Sequence, residues 1–229
     1  MKADIKDINI EATRLVEISG YHFSEIQIDV IRELETAMDN FKLFNKFARI
    51  AILSVVMKES GFVIKSETPY RRTSNPRIRS IFTSRVAMYN DAQLTELKSS
   101  DYNFFNAVYG NMYGNDPDEG YKYRGKGLNQ LTFKSNYAKI NTIIAKFIKN
   151  IDIVLYPELV LKSKRIASIC CIAYFIDRFE NVATFDFNTL EDAILMIFKA
   201  NAGWGKDITD SGHQETLQKT RDYSQYFNY

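Results

Sequence analysis

The chain has 229 residues, 45% of them apolar and 25% charged, with a net charge of +2. That length holds one domain, or one domain with two lobes, around a large core, and so small a charge leaves no electrostatic footprint for nucleic acid. The longest apolar stretches, Ile50 to Met57 and Ile166 to Ile176, fall far short of the roughly 20 residues that span a bilayer, so membrane insertion is not expected.

The segment Met1 to Asp7 is charged and lacks an apolar signal-peptide core, so the protein is expected to be made in the cytoplasm. Leu43 to Lys58 is apolar nearly all round and predicts a helix buried on most faces. A small hairpin is expected near Gly61 to Glu67. Turn formers gather at Ser66 to Pro76 and at Gly110 to Gly127, and loops on a helical frame are where a site should lie. From Asn136 to Asn150, Tyr137, Ile140, Ile143, Ile144, Phe147 and Ile148 recur with helical period. Ser163 to Arg178, downstream of Pro157, reads as a second buried helix with Ser163 as its N-cap. It contains Cys170 and Cys171, which as adjacent residues in an apolar run read as reduced core thiols. The two histidines, His22 and His213, have no metal-ligand spacing, which disfavours a zinc amidase or peptidase. Glu191 to Ala200 and the more polar Glu215 to Tyr226 complete the helical pattern. The expected architecture is mainly α, with two helical lobes around a cleft and at most a small β-hairpin.

Two segments carry chemistry. Glu59 ends the apolar helix and is followed at once by Ser60, Gly61 and Phe62. A carboxyl at the C-terminal end of a buried helix faces the negative end of the helix dipole, which favours its protonated form. The plain alternative is a solvent-facing glutamate at a frayed end. The second segment runs from Tyr123 to Tyr137, where Gly125 and Gly127 flank Lys126 ahead of Gln130, Thr132 and Asn136. Glycines admit a ligand close to the main chain, and the polar side chains that follow can hydrogen-bond a hydroxyl-rich substrate.

The order of residues in that second segment resembles the YRGRGxxQLTxxxNY signature of glycoside hydrolase family 19, the chitinases and phage endolysins. Lys58-Glu-Ser-Gly-Phe62 is similar to the family's HESGGF, with lysine for histidine and one glycine fewer. Asn75 to Arg85, Phe105 to Asn115, Tyr156 to Val160, Asn201 to Gly203 and Arg221 to Tyr223 resemble further family segments in the same order. The resemblance implies a bilobal lysozyme-like helical fold and an enzyme that cuts β-1,4 bonds in an N-acetylated glycan without metal or cofactor. Glu59 would be the general acid. Glu67, which stands alone among acidic residues between Glu59 and Asp91, would be the base of an inverting pair held about 6.5–9.5 Å apart; its alternative is a solvated loop glutamate. Thr68 and Thr73 would help hold the water, Gln130, Thr132 and Asn201 would bind sugar, and Tyr137 would line the cleft. Thr132 can instead cap a turn and Tyr137 can be core. Trp204 can stack on a sugar or simply pack. Arg71, Arg72, Arg77 and Arg79 form either a solvated face or contacts to the carboxylates of peptidoglycan.

Peptidoglycan is the expected partner, met by a monomer after release or delivery to the wall. A chitinase, a lytic transglycosylase working with one glutamate, and a non-catalytic glycan-binding component of a phage tail or secretion machine are the alternatives.

Overall fold

The structure, a computed structural model, describes residues 22–180, 184–203 and 205–227. It is mainly helical, with one short two-stranded antiparallel sheet among the described residues. The chain divides into two compact units. One is built from the stretches up to Ile64 and from Lys162 onward, the other from the uninterrupted stretch Lys65–Leu161. No described helix is long and apolar enough to cross a membrane.

In the first unit, α1 (Glu25–Asn40) starts with a capping box between Ser24 and Gln27, which satisfies two otherwise orphaned N–H groups. Helix α2 (Lys46–Ser60) is the centre of this unit. Ala48 and every residue from Ile50 to Met57 are buried, which is why its sequence shows no polar face. It packs against α9 (Leu190–Ala202) and α10 (Ser211–Ser224), while α1 packs on α8 (Lys164–Phe179). Helix α2 stops at Gly61, whose φ of 60° lies in the left-handed region that glycine adopts without strain. Phe62 then packs edge-on against the stacked rings of Phe23 and Phe227, with ring centroids 5.8 and 5.9 Å away. Ser163 caps α8 as expected, accepting from the Ile166 N–H. Cys170 and Cys171 are free, buried thiols, and burial pushes the Cys170 thiol up to about 12.

The second unit holds β1 (Lys65–Ser66), α3 (Asn75–Phe82), α4 (Asp91–Ser99), α5 (Asp101–Tyr109), β2 (Lys126–Gly127), α6 (Lys134–Ile144) and the start of the short α7 (Leu159–Lys162). A 3₁₀ turn, Thr83–Val86, follows α3. The core of this unit is aromatic: Phe82, Phe104, Phe105 and Tyr109 with Ile78, Val86, Leu94 and Val108, flanked by Tyr70, Tyr121 and Phe133.

Two expectations need correction here. No local hairpin forms over Gly61 to Glu67; β1 pairs instead with β2, Lys65 opposite Gly127 and Ser66 opposite Lys126. The glycine-flanked segment around Lys126 itself supplies the partner strand. The helix expected over Asn136 to Asn150 begins at Lys134 and ends at Ile144. Beyond it the amides of Lys146 and Phe147 bond three residues back, to Ile143 and Ile144, so the helix tightens into 3₁₀-type turns and Phe147 is turned out to solvent.

Asn115, buried at 6% exposure, ties this unit together. Its side-chain amide donates to the Tyr109 carbonyl at 2.8 Å, and its Oδ1 accepts from the Lys134 N–H at 2.8 Å. Asn115→Ala would strand both backbone groups, so a loss of about 2–4 kcal/mol is expected, read as a lowered urea midpoint.

Candidate active site

Glu59 sits in the last turn of α2. Its Oε1 accepts from Lys58 Nζ at 2.8 Å and from Asn201 Nδ2 at 3.1 Å. Adjacent helical side chains usually diverge, yet here the lysine folds back onto its neighbour's carboxylate. Asn201, expected as a sugar ligand, comes from the last turn of α9 and orients Glu59. The Glu59 side chain is 29% exposed, so it is neither a core residue nor a freely solvated one.

Glu67 follows β1 directly and belongs to the second unit. The two strands set its backbone: its N–H donates to the Gly125 carbonyl at 2.7 Å, and the Gly125 N–H returns a bond to Glu67 Oε2 at 3.2 Å. Two phenols close on the other oxygen. Tyr70 Oη donates to Oε1 at 3.0 Å and Tyr109 Oη at 2.9 Å. Burial, then the negative charge of Glu67, push both phenols well above the ordinary tyrosine range, so they remain protonated donors. Three donors from three separate segments thus converge on one carboxylate. This is not the pattern of a solvated loop glutamate.

Room at Gly125 is tight, and any side chain there would push on the Gln130 and Glu67 side chains. A Cβ there would lie 2.9 Å from Gln130 Oε1 and 3.3 Å from Glu67 Oε2. Beside it, Lys126 is fully buried; its ammonium donates to the Lys122 carbonyl and lies 3.4 Å from Glu158. Burial pushes this lysine down to about 8.

The other expected residues divide clearly. Gln130, at a strained φ of 53°, spends its amide N–H groups on the Lys65 and Gly127 carbonyls, both at 3.1 Å, and so braces the β1–β2 pair; its Oε1 remains to accept from a ligand. Thr132 Oγ1 donates to the Gln130 carbonyl at 2.8 Å, which is the turn-capping alternative. Tyr137 does not line a surface: it is fully buried, its ring 5.4 Å from that of Tyr123, because the apolar stripe of α6 faces the core. Thr68 is exposed next to Glu67, and the Thr73 N–H donates to the Tyr70 carbonyl at 3.0 Å. Arg71 pairs with Asp101, and Arg79 with Asp91 and two carbonyls, leaving Arg72 and Arg77 as the outward half of the basic run. Trp204 lies outside the described residues.

Sequence reasoning missed Tyr70 and Tyr109. The available signal was weak: Tyr109 lies within the Phe105 to Asn115 match, and Tyr70 follows Glu67 by three positions. Among the described residues no group of three or more His, Cys, Asp or Glu side chains is arranged to hold a metal ion. No protein-family model matches this chain, and no curated protein matches it at a significant level.

Proposed function

We propose that this chain is a glycosidase that hydrolyses the β-1,4 bonds of peptidoglycan, with Glu59 as general acid and Glu67 as general base. The observation that carries the reading is the treatment of Glu67. Its carboxylate is held by Tyr70, Tyr109 and the main chain of the segment that resembles the family 19 signature. Such convergence of donors is what a base fixed in one geometry requires. Glu59 supports it from the end of α2, oriented by Asn201. In the reaction, the leaving oxygen takes the Glu59 proton as the glycosidic bond breaks. Water, losing a proton to Glu67, forms the new bond from the opposite face of the sugar and inverts the anomeric centre. The outward Arg72 and Arg77 suit the lactyl and peptide carboxylates of peptidoglycan, groups that chitin lacks. On this reading the protein acts as a monomer on the wall, after release or delivery.

One observation favours a second reading. With Lys58 Nζ on Glu59 Oε1, the acid must leave an ion pair and take a proton before it can act. A site that binds glycan without cutting it has no such step.

The test is digestion of purified peptidoglycan and of chitin oligomers, with mass spectrometry of the products. Reducing-end muropeptides without anhydro sugars are expected. Anhydro products would transfer the chain to the lytic transglycosylase class. Cleavage of chitin alone would make it a chitinase, and binding without cleavage would favour the second reading.

A further inference from the structure

We propose that Tyr70 and Tyr109 are positioning residues that occupy Oε1 of Glu67 and leave Oε2 as the atom that takes the proton from water. The inference rests on the reading of Glu67 as the base. A carboxylate offers two oxygens with two lone pairs each. The phenols, at 3.0 and 2.9 Å, use both on Oε1, and the Gly125 N–H uses one on Oε2. One lone pair, on Oε2, remains for the reaction. As it takes the proton, the water oxygen bonds to the anomeric carbon and the glycosidic electron pair departs with the leaving oxygen, which is protonated by Glu59.

The phenols are fixed in turn. The Tyr70 ring lies 5.2 Å from Phe82 and 5.3 Å from Phe104, and Tyr109 stacks on Phe105 at 5.9 Å and meets Phe133 at 5.3 Å. Neither hydroxyl can swing away without moving the aromatic core. The charged groups that face the cluster are cations: Lys126, which feels the charge of Glu67, with Arg124 beside it; Arg77 near Tyr70; and Arg85, 5.7 Å over the Tyr109 ring. Behind Lys126 lies one carboxylate, Glu158, at 3.4 Å. The charge of the four cations is constant through the acidic range, and Glu158 is the same in every variant, so a difference between phenol variants and wild type reports the phenols.

The test uses the full chain carrying Tyr70→Phe, Tyr109→Phe or both, substitutions that keep the rings and remove only the hydroxyls. Two readouts are taken: the pH titration of the Glu67 carboxyl carbon by ¹³C NMR, assigned with Glu67→Gln, and the pH profile of kcat/KM on peptidoglycan. Each lost phenol removes a donor to the charged carboxylate, so both the carbon's titration midpoint and the acidic limb are expected to move upward. In the double variant kcat should fall about tenfold or more, with KM within about twofold. An unmoved midpoint and limb in the double variant, with Glu67→Gln still inactive, would overturn the inference and leave the proposed function standing. A midpoint that moves in the variants while the wild type cleaves no glycan would overturn the role given to Oε2 together with the reading of Glu67 as a base.

Discussion

Glu67→Gln is expected to lower turnover on peptidoglycan by about 10²–10⁴-fold while the protein stays folded. The amide is nearly isosteric, and its oxygen can still accept from Tyr70 and Tyr109. Its NH₂ then meets the Gly125 N–H, donor against donor, where Glu67 Oε2 accepts at 3.2 Å. A stability loss of about 1–3 kcal/mol therefore accompanies the loss of the base. Glu59→Gln should be equally inactive for a different reason. Its amide oxygen keeps the bonds from Lys58 and Asn201, but the side chain has no proton to give. Initial rates on soluble muropeptides, with thermal melts of each variant, separate lost chemistry from lost fold. Full activity in Glu67→Gln with none in Glu59→Gln would mean a one-glutamate mechanism.

Raising the pH from about 8 to about 10 should stabilise the unit that contains Lys126, against the usual trend. The side chain is wholly buried, and burial lowers it from 10.5 to about 8. Between these values the unfolded chain still holds a proton that the folded chain has shed, so stability rises with pH. Below about 8 the folded state carries a buried ammonium at a cost of about 3 kcal/mol, relieved as the pH climbs. Tyr70 and Tyr109 act in the opposite sense. Their folded-state values lie above 10.0, so their contribution is intact below that pH and is lost above it. Urea midpoints from pH 7 to 11 should therefore pass through a maximum near pH 10. In Lys126→Met the rising limb should vanish and the fall should remain. Superimposable curves for Lys126→Met and wild type would refute the assignment. Glu158, half exposed, can find water when its partner is removed, so the lost limb reports Lys126 rather than a stranded carboxylate.

How much of this was legible in the sequence depended on whether the signal was local. Helices α2 and α8 were, because a helix coated on all sides must be apolar all round, and the Ser163 cap is a contact over three residues. The end of α6 was not, since apolar period alone carries on through Phe147 and Ile148 after the backbone has tightened. The β1–β2 pairing was beyond reach: Ser66 and Lys126 share no turn, so no short-range pattern records their partnership. The same holds for the site. Glu67 could be singled out as an isolated acid, but its clamp joins residues 3 and 42 positions away, and two tyrosines at those offsets look like any others. Tyr137 failed for an opposite reason: its place in the signature and its place on the apolar stripe made competing demands, and burial won.

The interrupted composition of the first unit has a consequence for synthesis on the ribosome. The second unit is one continuous stretch ending at Leu161, so all its internal contacts become available as soon as that residue emerges. Helix α2 has by then been made but lacks α9 and α10, the partners that cover its apolar surface. It must wait, uncovered and open to chaperones, for sequence that is translated much later. Glu59 waits with it, since Asn201 lies 142 residues downstream. A nascent chain halted before Leu190 would hold Glu67 with every donor in place and Glu59 without its amide.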